Sequence, residues 1–341
     1  MRKKIITKHN KENKVNPNNF LSSGCTLLNL RLTGHPDCGW KKGCYHNIIG
    51  DSFAGKTILS WTALAEACND KRFEKYLKIY NSSEGDVGFD IKELFGSKAD
   101  REVIREKEGS KFSNSIYIEK WAKDFSKRLS IGKPFVEVMD SYDNLKCKEE
   151  EKKDPEARNY PSKPRILTEI LRRNQNDLIK TESLAFIISH VRDNLDAALF
   201  ASKKRRSGGR ALKNYCETEI WLAAADPITK TFRKVKEEIG NNVNAKITKN
   251  RSSGRKGKIY FPLIIDYGVD DILSQINYLL KFDEWKRTSG KIKTPFGSYN
   301  KTDLIKKIEE DGLQNKLKKE TTKLFHKVIK ATKEIRKSKF K

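Results

Sequence analysis

What this 341-residue sequence lacks excludes several classes of protein. It has no apolar run that approaches the length of a membrane span, and its basic amino terminus has no apolar segment typical of a signal peptide. Its six cysteines form no Cys-x-x-Cys pair and show no metal-ligand spacing with histidine, which suits free thiols in a reducing compartment. We therefore expect a cytoplasmic protein, of a bacterial or virus-infected cell, with no membrane partner.

Acidic residues are few beside basic ones. The chain has 71 Lys and Arg against 45 Asp and Glu, a formal net charge of +26. Such an excess favours a polyanionic partner such as nucleic acid, bound in a salt-sensitive manner. The many Lys, Asn and Ile residues also fit an AT-rich genome that encodes lysine at surface positions. Charge alone therefore leaves both explanations open.

The distribution of apolar and charged residues predicts three parts. We expect a basic flexible arm over 1–19, an α/β core over 20–285 and a basic, largely helical carboxyl-terminal extension over 286–341. The extension carries 18 Lys and Arg against 6 Asp and Glu, and on this charge alone it is a candidate surface for capturing duplex DNA.

Apolar runs that alternate with amphipathic ones predict strands alternating with helices. The candidate strands cover 44–49, 76–80, 115–118, 135–140, 184–189, 217–223, 243–248 and 259–265. The candidate helices cover 58–67, 90–95, 165–181, 269–281, 301–317 and 320–335. The segments 146–164 and 193–209 are predicted loops. This order predicts an α/β fold with a mainly parallel central sheet flanked by helices, extended by antiparallel strands near its end.

The most informative motif is a phosphate-binding loop that fits G-x-x-x-x-G-K-[ST] at every fixed position. A predicted strand precedes it and a predicted helix follows it, which is the context that a phosphate cradle needs. Lys56 would reach the β- and γ-phosphates of ATP, and the Thr57 hydroxyl would ligate Mg²⁺. The predicted nucleotide-binding residues of this loop are Gly50, Asp51, Ser52, Phe53, Ala54, Gly55, Lys56 and Thr57. The alternative is a glycine-containing turn that matches by chance.

Two further carboxylates are candidates for the same site. Asp140 ends a β-rich run, at the strand edge where ligands bind in open α/β sheets, and would order the Mg²⁺ shell through water. The alternative is an ordinary strand that ends in a turn aspartate. Glu84 follows another predicted strand and is the best candidate for activating the attacking water. Its residue type and position fit a surface turn equally well.

These pieces, in this order, resemble the RecA recombinase family over residues 20–281. The resemblance includes a family-like entry segment at 21–30, the pair Asp140-Ser141, a strand at 187–192, a Gly-Gly-x-Ala-Leu-Lys element at 208–213 and a K-x-x-K-N-R strand at 246–251. The phosphate loop is common to many nucleotide hydrolases, whereas the 187–192 strand and the Gly-Gly element are much more specific. RecA itself has glutamine where this chain has His190, and the phage UvsX-type members have histidine.

The resemblance implies roles for residues that no motif of their own would single out. His190 would sense the γ-phosphate, and Lys249 and Arg251 would reach the ATP of a neighbouring subunit. The segments 146–164 and 193–209 resemble the family's first and second DNA-binding loops. The implied catalytic residues are Glu84, Lys56, His190, Lys249 and Arg251. The implied DNA-binding residues are Phe200, Lys203, Lys204, Arg205, Arg206, Gly208, Gly209 and Arg210.

The implied function is that of a DNA-dependent ATPase acting in recombination and repair. It would form a homo-oligomeric filament on single-stranded DNA and pair that DNA with homologous double-stranded DNA, using ATP and Mg²⁺. One alternative is a ring-forming motor on the same core, such as a replicative helicase. Another is a weakly hydrolysing mediator that binds single-stranded DNA without strand exchange.

Overall fold

The fold is that of a computed structural model, which describes residues 15–85, 87–107, 109–151, 162–193, 204–207 and 209–334. None of the helices within those ranges is long and apolar enough to cross a membrane.

Strands and helices alternate through most of the chain. The strands are β1 (Phe20–Leu21), β2 (Trp40–Lys41), β3 (Cys44–Gly50), β4 (Leu77–Ser82), β5 (Val103–Ile104), β6 (Phe135–Asp140), β7 (Leu184–Asp193), β8 (Lys204–Arg206), β9 (Thr218–Phe232), β10 (Val235–Asn250), β11 (Gly257–Ile264), β12 (Gly268–Val269), β13 (Lys286–Thr288), β14 (Lys291–Thr294) and β15 (Gly297–Tyr299). The helices are α1 (Thr26–Thr33), α2 (Lys56–Asn69), α3 (Ile91–Glu102), α4 (Ile118–Ser130), α5 (Lys148–Glu151), α6 (Ser162–Lys180), α7 (Gly209–Tyr215), α8 (Asp271–Lys281), α9 (Lys301–Glu310) and α10 (Gln314–Ala331).

A large central sheet organises the molecule. Its strand order is β12-β11-β10-β9-β3-β7-β6-β4-β5, with β8 paired to the far end of β7. Neighbouring strands from β9 to β5 run parallel, whereas β9 to β12 pair antiparallel, as the sequence predicts. The register aligns Gly50 with His190 and Ser82 with Asp140. The carboxyl ends of β3, β7, β6 and β4 therefore meet along one side of the sheet, which we call the carboxyl edge.

The predicted strand at 135–140 is confirmed with its bounds, but the one at 115–118 is wrong. Tyr117 makes only an isolated bridge with Lys146, and a helix begins at the next residue. The short β-branched run there belongs to the start of an amphipathic pattern, since the apolar residues that follow recur at helical spacing. The buried residues of α4 are Ile118, Trp121, Phe125 and Leu129.

The two predicted loops contain short elements that composition did not indicate. The segment 146–164 includes α5 and the start of α6, and the segment 193–209 includes β8. Residues 152–161 and 194–203 lie outside the described ranges. The helix predicted over 301–317 is divided into α9 and α10 at Gly312, whose φ of +63° is a left-handed conformation typical of a helix end.

Two apolar clusters cover the two faces of the sheet. On one face α1 and α2 contribute fully buried residues such as Leu28, Trp61 and Leu64. On the other face α4 and α6 do the same with residues such as Phe125 and Leu171. Helices on both faces allow the parallel strands to be apolar on both sides, which explains why these strands appear as continuous apolar runs in the sequence.

The carboxyl-terminal extension has its own apolar cluster, which also includes residues of the preceding helix. Strands β13 to β15 form a small antiparallel sheet that the helical periodicity did not predict. Ile276 and Leu279 of α8 pack in one cluster with Trp285, Leu304 and residues of α10. The apolar packing is therefore continuous across the expected boundary between residues 285 and 286.

Candidate nucleotide-binding site

The phosphate loop joins β3 to α2 and depends on two glycines. A Cβ on Gly50 would lie 2.7 Å from the carbonyl oxygen of Leu222, so a side chain has no room there. Gly55 has a φ of +84°, which favours glycine, and α2 begins at Lys56. Phe53 also has a positive φ, of 60°, and its side chain is 96% exposed. The local sequence thus forms an exposed loop whose backbone leads directly into a helix amino terminus, a good site for anions.

The Lys56 ammonium faces back into this loop. Its Nζ donates to the carbonyl oxygen of Asp51 at 2.8 Å, and the residue is only 6% exposed. Burial lowers the pKa of Lys56, while the carboxylates of Asp140 and Glu84 act in the opposite direction. Among the other loop residues, Ala54 is buried and Ser52 is exposed. The arrangement holds a partly desolvated cation where phosphate oxygens would bind.

Thr57 and Asp140 meet beneath the loop. The Thr57 hydroxyl donates to Asp140 Oδ2 at 2.7 Å, and the Tyr80 hydroxyl donates to the same oxygen at 2.9 Å. Asp140 is 3% exposed, and its burial raises the pKa of this carboxyl. Hydroxyl and carboxylate oxygens are the ligands that Mg²⁺ prefers, and a bound cation would offset the buried charge. The donor set therefore fits Mg²⁺, which Thr57 and Asp140 would hold.

Glu84 and His190 come together beside Asp140. Glu84 Oε1 accepts from the Ser141 hydroxyl at 2.7 Å and lies 2.9 Å from His190 Nε2. The hydrogen bond to His190 lowers the pKa of Glu84, with a smaller contribution in the same direction from Ser141. The Glu84 side chain is 40% exposed, so water can reach its carboxylate. This is the geometry of an ionised base open to solvent and close to the phosphate loop.

Sequence reasoning missed two polar residues of this site. Asp143 Oδ2 accepts from the backbone N–H of His190 at 2.7 Å and so holds β7 near its carboxyl end. Tyr80 binds Asp140 from the neighbouring strand, as described above. A signal for Asp143 exists, because it follows Asp140 by three residues just past a strand end. Tyr80 has none, since an aromatic residue in an apolar strand usually indicates only core packing.

Comparisons with known proteins find similarity to RecA proteins. The family model of the RecA N-terminal domain matches residues 127–270. The RecA protein of Sulfurovum sp. is 27% identical over 146 residues, which are 43% of this chain and 41% of that protein. The RecA protein of Limosilactobacillus reuteri is 24% identical over 217 residues, 62% of this chain and 54% of that protein. The RecA protein of Streptococcus mutans is 22% identical over 280 residues, 79% of this chain and 68% of that protein.

The chain is similar to RecA proteins, and these matches support membership of the RecA family. It spans about half the length of the first two of these relatives. The match to the family model starts beyond the phosphate loop, so the assignment of that loop depends on its own motif and geometry. The finer likeness to phage UvsX-type members, drawn from His190, stays a prediction.

The two cations expected to act on a neighbouring subunit lie far from the phosphate loop of their own chain. The ammonium of Lys249 donates to the carbonyl oxygens of Lys213 and, at 3.1 Å, Asn214. Arg251 Nη2 donates to the carbonyl oxygen of Asn214 at 2.6 Å. Arg251 sits by the amino end of β3, about 16 Å along that strand from Gly50. The fold thus does not join these cations to the site of their own subunit.

The second DNA-binding loop implied by the RecA-family resemblance is described only at its two ends. Phe200, Lys203 and Gly208 lie outside the described residues. The backbones of Lys204 and Arg205 belong to β8, and those of Gly209 and Arg210 open α7. The Arg206 side chain, expected to contact DNA, is instead 9% exposed and forms an ion pair with Glu219. That one member of the implied DNA-binding set is therefore buried.

Proposed function

We propose that this chain is a DNA-dependent ATPase that forms filaments on single-stranded DNA and pairs that DNA with homologous duplex. The observation that carries the proposal is that five polar side chains lie together at the carboxyl edge. Both implied DNA-binding loops begin at the same edge. The converging residues are Lys56, Thr57, Glu84, Asp140 and His190. Similarity to RecA proteins supports a role in recombination and repair. A cytoplasmic location belongs to the same proposal.

Each converging residue has a role in phosphoryl transfer. Lys56 would bind the β- and γ-phosphates, and Thr57 and Asp140 would hold Mg²⁺. Glu84 accepts a proton from the attacking water, and its lowered pKa keeps the carboxylate ionised at neutral pH. When bound, MgATP supplies the γ-phosphoryl group and the charge that these residues stabilise.

His190 connects this chemistry to the DNA-binding loop. Its side chain binds Glu84 and its backbone N–H binds Asp143, while β7 continues beyond it toward the segment 194–203. A change in the Glu84–His190 hydrogen bond on hydrolysis would therefore act on the base of that loop. We propose that ATP favours the DNA-bound state by this route and that hydrolysis releases it.

We propose that the complete site forms between two copies of the chain. Lys249 and Arg251 are on the side of the sheet away from their own phosphate loop, and their present partners are backbone carbonyls of residues 213 and 214. In a head-to-tail assembly such cations can stabilise transition-state charge on a neighbour's nucleotide, as an arginine finger does. This requirement ties hydrolysis to assembly.

Each of the three expected parts of the chain has a proposed role. Residues 20–285 form the ATPase core, 1–19 a basic arm and 286–341 a surface for duplex capture. Four exposed lysines of α10 recur at helical spacing along one face, and they are Lys316, Lys319, Lys323 and Lys330. Replacing these four by glutamate tests the surface without cutting the chain, whose α8 packs against the extension. Unchanged duplex affinity would remove this part of the proposal.

Strand exchange between circular single-stranded DNA and a homologous linear duplex tests the proposed function. We expect joint molecules with MgATP and none with a heterologous duplex. Lys56→Ala, which removes the phosphate-binding cation, is the matched negative control. Unwinding of a forked duplex without a homologous single strand would instead favour the ring-forming motor.

A further inference from the structure

Arg206 is one of the cations expected in the second DNA-binding loop, but its charge is already neutralised inside the protein. Its Nη1 pairs with Glu219 Oε2, and the two side chains are 9% and 7% exposed. Arg206 is the last residue of β8, and Glu219 lies near the start of β9. A cation that neutralises a DNA phosphate must be able to reach solvent, so this burial indicates another role.

Glu219 is held in place on both of its oxygens. While Oε2 takes Arg206, Oε1 accepts from the Thr248 hydroxyl at 2.6 Å and from Trp221 Nε1 at 3.2 Å. A carboxylate with donors on both oxygens forms a rigid receptor for a guanidinium. Removing either member of such a buried pair would leave the other charge uncompensated.

The same guanidinium also contacts the strand that leads into the phosphate loop. Arg206 Nη1 lies 3.4 Å from Asn47 Oδ1, and Asn47 precedes Gly50 by three residues on β3. The Asn47 amide donates to Ser189 Oγ at 2.9 Å and to the carbonyl oxygen of Ile187 at 2.8 Å. Ser189 is the residue before His190. A continuous polar chain thus runs from Glu219 to the end of the strand that carries His190.

The backbone around Arg206 is attached to that same strand. Arg206 pairs with Val191 in the antiparallel β7–β8 ladder, and the N–H of Ser207 donates to the carbonyl oxygen of His190 at 3.1 Å. The ion pair therefore fixes β8 at the point where the returning end of the loop meets the residue that binds Glu84.

We propose that the Arg206–Glu219 pair anchors the carboxyl-terminal end of the 193–209 segment, and that Arg206 is a positioning residue, not a DNA contact. The anchor keeps β8 paired to β7, so that a shift at His190 is passed to the loop and is not lost by separation of the two strands. Its importance for DNA binding rests on the proposed function, whereas the anchoring itself does not.

Glu219→Gln separates the two roles, because they predict opposite results. If Arg206 anchors the loop, weakening the pair lowers the affinity for a fluorescent oligonucleotide at least tenfold at about 0.1 M salt. The slope of log affinity against log salt concentration then stays unchanged. If Arg206 contacts DNA, Glu219→Gln leaves affinity unchanged or raises it, and Arg206→Gln reduces the magnitude of the slope by about 0.7. Glu237→Gln, an exposed position on β10, controls for the added net charge. Arg205→Gln, which removes the charge of the residue next to Arg206, shows the effect of losing a neighbouring cation.

Hydrogen exchange tests the anchor without DNA. Hydrogen exchange of residues 204–207 should speed at least tenfold in Glu219→Gln and in Arg206→Gln, with nucleotide binding retained as a check on folding. The double variant should recover slow exchange and DNA affinity, because two neutral amides can replace the ion pair. Absence of DNA binding by the unsubstituted chain would refute the proposed function and leave the exchange result to decide the anchor. Unchanged exchange in Glu219→Gln would overturn the anchor.

Discussion

Replacing Glu84 by glutamine isolates the step in which water is activated. Glu84 Oε1 accepts hydrogen bonds from Ser141 and His190 at 2.7 and 2.9 Å, and glutamine keeps both the shape and an accepting oxygen. Because the side chain is 40% exposed, we expect the free energy of unfolding to change by no more than about 0.5 kcal/mol. The amide, however, cannot take a proton from water.

The size of the effect follows from the role of a general base. Such a group contributes about 10²- to 10⁴-fold to a rate, which corresponds to about 2.7 to 5.4 kcal/mol of activation free energy. Nucleotide affinity should be unchanged, because Lys56, Thr57 and Asp140 keep their contacts. The variant should therefore bind ATP normally and hydrolyse it at a small fraction of the original rate.

Phosphate release in the presence of single-stranded DNA, measured beside a fluorescent nucleotide titration, provides the assay. Glu93→Gln, an exposed glutamate on α3, is the matched control and should behave like the unsubstituted chain. Turnover at the original rate in Glu84→Gln would refute the assignment of the base. A parallel loss of nucleotide affinity would show that Glu84 acts in binding.

Three further predictions concern the surroundings of the site, the assembly and the core. In His190→Ala the hydrogen bond that lowers the pKa of Glu84 is lost, so the acid limb of the pH–rate profile should move to higher pH; an unmoved limb would contradict that coupling. Lys249→Ala and Lys56→Ala should each be inactive alone and regain ATPase activity when mixed, since one copy supplies the phosphate loop and the other the cation; no recovery would argue against a shared site. Leu28 is fully buried in the core, so Leu28→Ala should lower the free energy of unfolding by about 2–5 kcal/mol in chemical denaturation. A smaller decrease would mean that the core is packed more loosely than described.

The parts of the site that the sequence predicts are those fixed by strand ends. The phosphate loop, Asp140 and His190 each follow a continuous apolar run, and the carboxyl ends of parallel strands share one edge. Their proximity therefore follows from the alternation of strands and helices once the fold class is known. The residue type and position of Glu84 also fit a surface turn, and the contact of its carboxylate with His190 brings it into this site.

The remaining features depend on side-chain partners distant in sequence. Nothing local distinguishes Arg206 from the cations beside it; only Glu219, on another strand, shows that it is buried. The erroneous strand at 115–118 has a similar origin, since Ile118 at its end is buried as the first residue of α4. The small sheet at β13 to β15 consists of strands too short and too polar to produce a period-2 pattern.

Electron microscopy of the protein on single-stranded DNA, with a slowly hydrolysed ATP analogue, tests the central claim most directly. The account predicts continuous helical filaments that require the nucleotide and are absent in Lys56→Ala. Closed rings would contradict it and favour the helicase-type motor. Bare or irregularly coated DNA would also contradict it and would leave a binding mediator in its place.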